Sequence, residues 1–243
     1  MNLVFASAKF IGLSAIQRKY SLVALYDGLR SLLTDNSRVS RMRMEFYKLA
    51  TKKVDDRVNN GSQRPDFFTH VLKNNGIGEK ALTRPEMVSN SILLMVAGSE
   101  TTATLLSGAT YLLLTNPIVY EKLVTEIRSK FTSADQITFE EVNKLEYLIA
   151  VLQESLRYYP PVPTGFPRVV PKGGDKISGH YIPEGTSVYV SQHTANHSPR
   201  NFADPEAFIP ERWLKDAPAK FKDDNHAAMN PFSFGPRNCL GKK

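Results

Sequence analysis

The chain of 243 residues has one cysteine, Cys239, inside the run Phe232-Ser233-Phe234-Gly235-Pro236-Arg237-Asn238-Cys239-Leu240-Gly241. A thiolate is a nucleophile and a soft metal ligand, and a nearby cation together with exposed backbone N–H groups favours it over the thiol. Arg237 supplies that cation two residues before the sulfur. Gly235 and Gly241 flank it and allow tight turns and the close approach of a flat ligand. Phe232 can pack against such a ligand. A lone cysteine is more often a small buried hydrophobe, and taken by itself this run would be read that way. One cysteine also excludes an intrachain disulfide and fits a reducing compartment.

Three further clusters lie upstream. Glu154 and Arg157 stand at i and i+3, on one face of a helix; alone, they read as a surface ion pair of little energetic value. Arg212 follows in Phe208-Ile209-Pro210-Glu211-Arg212-Trp213. In Ala97-Gly98-Ser99-Glu100-Thr101-Thr102, an acid and a hydroxyl interrupt an apolar helix. Gly98 would let the backbone approach a ligand closely, a mid-helix Thr hydroxyl can bond back to a carbonyl and open the helix, and Glu100 with Thr101 could relay protons. A polar patch facing solvent is the plainer reading of that segment.

The spacing Phe-x-x-Gly-x-Arg-x-Cys-x-Gly resembles the haem-binding signature of cytochromes P450, and the three upstream clusters resemble further motifs of that family in the right order. The resemblance implies haem b (iron protoporphyrin IX), with Cys239 as axial ligand of the iron and Arg237, Phe232, Gly235, Gly241, Gly98 and Ala97 around the macrocycle. It implies that Glu100 and Thr101 are catalytic, and that Glu154, Arg157 and Arg212 form a buried structural triad. Trp213 stands where the family more often has Phe. Arg168, after Pro167, resembles the haem-propionate partner, and Val162, Thr164, Gly165 and Phe166 match the segment bordering the substrate. The wording of residues 158–168 is similar to fungal P450s of secondary metabolism. The implied activity is monooxygenation of a small apolar metabolite, terpenoid or polyketide-like, by hydroxylation or epoxidation. Electrons would come from NADPH-cytochrome P450 reductase, docked on the cysteine side near Lys242 and Lys243. A haem-thiolate isomerase or dehydratase, and an inactive fragment without haem, stand as alternatives.

The implied fold is mainly α with small β-sheets, an incomplete cytochrome P450 domain over residues 1–243. Composition agrees with a globular chain: 42% hydrophobic and 23% charged residues. Of the net charge of +7, +6 falls in residues 1–60, with eleven Lys/Arg against five Asp/Glu. A solvated helix face is the plain reading of that excess, and a membrane surface the sharper one. No nucleic-acid motif accompanies it, so no nucleic-acid partner is expected. Residues 1–20 lack the pattern of a signal peptide. The apolar stretch 91–114 holds Glu100 at its centre, which costs about 2.5–3.5 kcal/mol in a bilayer, so it reads as a buried helix of a soluble domain.

Local signals set the elements. Residues 3–33 could hold one or two helices, and residues 39–58 suit an amphipathic helix ended at Asn60-Gly61-Ser62. Thr83 and Glu86 have capping-box spacing, with Pro85 in the first turn and Leu82 and Met87 placed as a hydrophobic staple. The long central helix should span 84–115, with Asn116-Pro117 stopping it and capping the next. Val119, Leu123 and Ile127 make a stripe on residues 117–131, where Glu126 and Lys130 stand as an i, i+4 pair. Thr138 and Glu141 repeat the capping box, and a helix runs on to Tyr158, closed by Pro160-Pro161. A hairpin is expected about 176–190, turning at Pro183-Glu184-Gly185. Residues 193–230 should form a compact loop region with short helical turns. By the resemblance, the family's N-terminal membrane anchor and early helices, and the helix continuing from Cys239, lie outside this sequence. The full-length protein is expected at the cytosolic face of the endoplasmic reticulum membrane.

Overall fold

The structure, a computed structural model, describes residues 38–61, 66–74 and 81–242. The expected helices within residues 3–33, together with residues 1–20, Ser62 and Lys243, lie outside the described residues. Backbone contacts divide the chain into two units, residues 1–100 and 101–243, with the boundary inside the long helix.

In the first unit, α1 (Arg38–Asn60) and α2 (Phe67–Asn74) precede the start of α3 (Arg84–Thr115). Val54, Met87 and Val88 form a small buried core, with Leu82, Phe68, Val71, Leu72 and Ile92 packed on it. Leu82 and Met87 thus meet in one cluster, as a staple requires. Glu86 turns back to accept from the Thr83 backbone N–H and hydroxyl, both at 2.7 Å. Arg84 makes a fork to Asp55 on α1, at 2.8 and 2.6 Å.

The second unit holds the end of α3, α4 (Pro117–Lys130), α5 (Phe139–Val142), α6 (Glu146–Tyr158) and α7 (Gln192–Asn196). Its core is Leu112, Val119, Leu123, Val151 and Phe208, with Ile127, Leu148 and Tyr158 against it. The stripe expected on α4 is the one that is buried. Among the described residues of this unit, five 3-10 turns complete it: Ala134–Gln136, then Pro210–Trp213, Ala219–Phe221, His226–Ala228 and Leu240–Lys242 in the proline-containing second half.

Five expectations are corrected. First, α3 is not buried on most sides: 11% of its most apolar stretch is covered, and Leu93, Leu94, Val96 and Leu106 are exposed. A helix apolar all round needs neighbours all round, whereas here the two small cores hold only its ends. By length and composition it could also cross a membrane, although Glu100 stands mid-way. Second, the interior glycine of α3 with a close neighbour is Gly108. A Cβ there would meet the Tyr159 ring at 2.4 Å, while Gly98 has open space around it. Third, Asn116 does not cap α4. Its side chain donates back to the Leu112 carbonyl at 2.8 Å, sealing the end of α3 instead.

Fourth, residues 176–190 are not one hairpin. β2 (Asp175–Ile177) pairs antiparallel with β3 (His180–Ile182), and β1 (Arg168–Val169) with β4 (Ser187–Val188). The β2–β3 turn falls at Ser178-Gly179, both with positive φ. Gly185, at φ +75°, instead sits third in a turn closed by the Thr186 N–H on the Pro183 carbonyl. That turn sends the chain back to Val170, which exchanges backbone bonds with Gly185 and Thr186.

The Glu126/Lys130 pair is also replaced. Lys130 bonds Glu141 at 3.0 Å. Both Glu126 oxygens accept from the Tyr147 and Leu148 N–H groups, at 2.8 and 2.9 Å. These are first-turn donors of α6, whose own N-cap position is Leu145, a residue that cannot cap. Glu126 therefore caps a different helix from its own. Glu126→Ala is expected to destabilise the fold by about 1 kcal/mol. Glu126→Gln, which keeps one acceptor, should recover part of that loss in urea unfolding.

Candidate functional site

The second half of the chain is organised round one carboxylate. Glu154, on α6, is 0% exposed, as is Arg157 one turn later; Arg212, from the Pro210–Trp213 turn, is 1% exposed. Arg157 grips Glu154 with both arms of its fork, Nε to Oε2 at 2.8 Å and Nη2 to Oε1 at 2.9 Å. Arg212 Nε donates to Oε1 at 3.2 Å and the Ile209 N–H to the same oxygen at 2.8 Å. The surface-pair reading of Glu154 and Arg157 is thereby excluded.

Two members of the cluster were not legible as such. Trp213 donates its indole N–H to Glu154 Oε2 at 2.8 Å, a bond the commoner Phe cannot make. Asp224 pairs with Arg212 Nη1 and is itself buried, and it accepts from the Ala203 N–H at 2.7 Å. Glu154 and Asp224 together balance the two guanidinium charges, so the buried set is neutral. Nothing near Asp224 in the sequence marks it, because its partner is twelve residues away across a loop.

The remaining guanidinium donors hold the loop. Arg157 reaches the carbonyls of Asn196, Pro205 and Ala207 at 2.8–2.9 Å. Arg212 reaches those of Ala203 and Asp204 at 2.9 and 3.3 Å. Asn196, 1% exposed, returns a bond from Nδ2 to the Arg157 carbonyl at 3.0 Å. Phe202 lies against both, with guanidinium carbons 5.4 and 5.9 Å from its ring centre. Backbone that forms no regular ladder is thus satisfied by side chains.

The cysteine loop follows. The Cys239 N–H donates to the Phe232 carbonyl at 2.8 Å and closes residues 232–239 into one loop. Gly235 has φ +85° and Ser233 has φ +61°. Gly235 is thus demanded by the backbone, while Ser233 takes a conformation few non-glycine residues adopt. Gly241 has an ordinary φ of −85°, so no turn requires it. A Cβ there would lie 3.8 Å from Cys239 Sγ, beside the sulfur. Cys239 is exposed, as are Arg237 and Phe232. This arrangement fits a flat group bound through sulfur: the thiol is open, Gly241 places no side chain beside it, and an aromatic ring and a cation share its loop.

Ala97, Gly98 and Glu100 belong to the first unit and Thr101 to the second. The helix is continuous through them. Ser99 bonds back to the Met95 carbonyl at 2.6 Å, and the helix stays continuous past it. Glu100 and Thr101 are half-buried, and Gly98 keeps open space where a Cβ would be.

Arg168 lies exposed on β1, opposite Val188. Of the segment 162–166, Thr164 and Phe166 are exposed and Val162 and Gly165 half-buried. The segment is pinned: Pro163 O accepts from the His193 N–H at 2.9 Å and from the Ser191 hydroxyl at 3.3 Å. A Cβ on Gly165 would come within 1.9 Å of the Val190 carbonyl oxygen.

Two consequences are measurable. Glu154→Ala or Arg212→Ala strands a buried charge and should cost about 3–5 kcal/mol, whereas Trp213→Phe removes one of five donors and should cost about 1 kcal/mol. Chemical unfolding followed by circular dichroism ranks the three. Gly165→Ala forces backbone apart and should cost about 1–3 kcal/mol, visible as a lower melting temperature.

Comparisons with known proteins assign the family. The sequence model described as Cytochrome P450 matches residues 14–243. Cytochrome P450 monooxygenase traB of Penicillium crustosum is 50% identical over 212 residues, 87% of this chain and 42% of that protein. Cytochrome P450 monooxygenase lcsI of Purpureocillium lilacinum is 44% identical over 242 residues, 100% of this chain and 46% of that protein. Averantin hydroxylase of Aspergillus parasiticus is 43% identical over 238 residues, 98% of this chain and 47% of that protein. The chain spans about half the length of these curated relatives. A match over nearly the whole chain, together with relatives at this identity, places the chain in the cytochrome P450 family, of the fungal secondary-metabolism type.

Proposed function

We propose that this chain carries the haem-binding part of a monooxygenase that hydroxylates or epoxidises a small apolar metabolite, terpenoid or polyketide-like. The observation that carries the reading is the open thiol of Cys239 on a loop closed by its own N–H and bent at Gly235. A cysteine kept only for packing would be buried. Hydroxylation is the reaction named for relatives such as averantin hydroxylase, and supports that class here.

Cys239 would hold the iron of haem b as thiolate, with Arg237 and Phe232 beside the macrocycle, Ala97 and Gly98 presenting bare backbone to it, and Arg168 meeting a propionate. Haem bound through thiolate supplies oxygen activation, since the sulfur pushes electron density that favours O–O cleavage. The residues do the rest. The Cys239 N–H, committed to the Phe232 carbonyl, closes the loop that would hold the sulfur. Glu100 and the Thr101 hydroxyl, adjacent on α3, hold and pass protons to the reacting oxygen. Val162, Thr164, Gly165 and Phe166, pinned through Pro163 to Ser191 and His193, border the substrate.

The partners follow from the same reading: NADPH-cytochrome P450 reductase on the cysteine side, where Lys242 adds positive charge, and a membrane surface at the cytosolic face of the endoplasmic reticulum. Glu100 beside Thr101 favours oxygen chemistry over an isomerase or dehydratase, which needs no proton delivery to dioxygen.

Two measurements on the full-length enzyme test the proposal. The reduced, carbon monoxide-bound protein should show the red-shifted Soret band of a thiolate ligand, and Cys239→His should abolish it; an unshifted band in the parent protein would refute the assignment. Thr101→Ala should keep NADPH consumption while product falls by about 10²–10⁴-fold and hydrogen peroxide rises. Unchanged coupling would remove Thr101 from the proton route.

A further inference from the structure

The turn that holds Arg157 has a second feature that the haem site does not use. Helix α7 presents His193 and, four residues on at its C-cap, His197. The backbone turn between them is closed, with the His197 N–H on the His193 carbonyl at 3.0 Å. Their rings face each other with centres 4.2 Å apart and planes inclined by 39°.

The chemistry of the two nitrogens of His197 is set. Nδ1 lies 2.9 Å from the His193 carbonyl oxygen. A carbonyl only accepts, so Nδ1 carries the proton and Nε2 the lone pair. Metal-bound imidazoles are commonly oriented in this way, the far nitrogen donating to a backbone carbonyl. The Tyr158 ring meets the His197 ring edge-on, with centres 5.4 Å apart. His193 is exposed and His197 half-buried, so solvent ions reach the pair.

We infer that His193 and His197 form a two-histidine site for a borderline divalent cation such as Cu²⁺, Ni²⁺ or Zn²⁺, with water completing its shell. Bonds of about 2.0–2.1 Å to both nitrogens would set the ring centres roughly 4.5–5 Å apart. The rings stand a few tenths of an ångström closer than that, and binding would turn the exposed His193 ring to widen the gap. Among the described residues no group of three or more His, Cys, Asp or Glu side chains gathers, so the protein provides two ligands and the cation exchanges freely. Affinity should rise from Ni²⁺ to Cu²⁺.

The placement gives such a cation a structural effect. Asn196 lies inside the bridged turn. Its carbonyl accepts from Arg157 Nη1 at 2.9 Å and its Nδ2 donates to the Arg157 carbonyl. A cation across the two imidazoles would clamp the turn that holds one arm of the buried arginine.

Isothermal titration of the purified protein with NiCl₂ and with CuSO₄, in a non-chelating buffer, tests the site. One freely exchanging site is expected, tighter for Cu²⁺, with the Cys239 thiol blocked beforehand by iodoacetamide so that copper does not engage it. His193→Ala and His197→Gln should each weaken it at least about ten-fold, while His180→Ala, a change on exposed β3, should leave it intact. Ni²⁺ should raise the melting temperature of the parent and not that of His193→Ala, which removes only an exposed ring and should not impair folding. Absence of binding at millimolar Ni²⁺ and Cu²⁺, or equal affinity in the parent and His193→Ala, would overturn the inference. Neither result bears on Cys239 or haem.

Discussion

The carboxylate of Glu154 lies beyond the reach of water and accepts five hydrogen bonds from four residues. A buried charge in this position is tolerable only when every lone pair and every opposite charge is answered. Here Arg157 and Arg212 answer it, and Asp224 answers the charge left over. Because each guanidinium has more donors than Glu154 can accept, the surplus turns outward to carbonyls of residues 196–207. The loop is thus fastened by the leftovers of the ion cluster. That explains how residues 196–207, with little regular structure, keep one course.

The same economy of donors governs the element ends. Glu126 on α4 caps α6, Glu211 accepts from Lys122 and Tyr147 at 2.6 and 2.9 Å, and Asn116 seals α3. Glu211 and Arg212 are neighbours in sequence, yet one ties the Pro210–Trp213 turn to α4 and α6 from outside while the other enters the buried cluster. Adjacent residues on a tight turn point in different directions, so one short segment binds two layers. Burial and the Glu211 hydrogen bond together raise the Tyr147 hydroxyl well above its ordinary range, which keeps it a donor at any physiological pH.

Against this fastened region, the cysteine loop is lightly held. Its internal bonds close it on itself, and its apolar side chains Phe234 and Leu240 are exposed. The middle of α3 is likewise apolar and open. Exposed apolar surface of this extent marks binding faces. Under the proposed function, the haem would cover part of it, since it lies on the segments whose motifs resemble haem-contacting ones.

Local chemistry was legible in the amino-acid sequence. The caps at Thr83 and Thr138, the stop at Asn116-Pro117, the buried stripe of α4 and the cysteine signature all depend on neighbours within a turn or two, and short-range sterics and hydrogen bonding settle them. Glu154 with Arg157 was legible for the same reason, and Arg212 through its motif. What tertiary structure alone decided was where long side chains go. Glu126 had a good partner four residues away and took backbone donors of another helix instead, because an uncapped helix end is costly and Lys130 finds Glu141 in exchange. The strands about Gly185 could have paired with each other, but the left-handed glycine turned the chain to β1. Asp224 and Trp213 entered the cluster because a buried carboxylate and a buried guanidinium must be satisfied by whatever lies within reach in space, and distance along the chain carries no information about that.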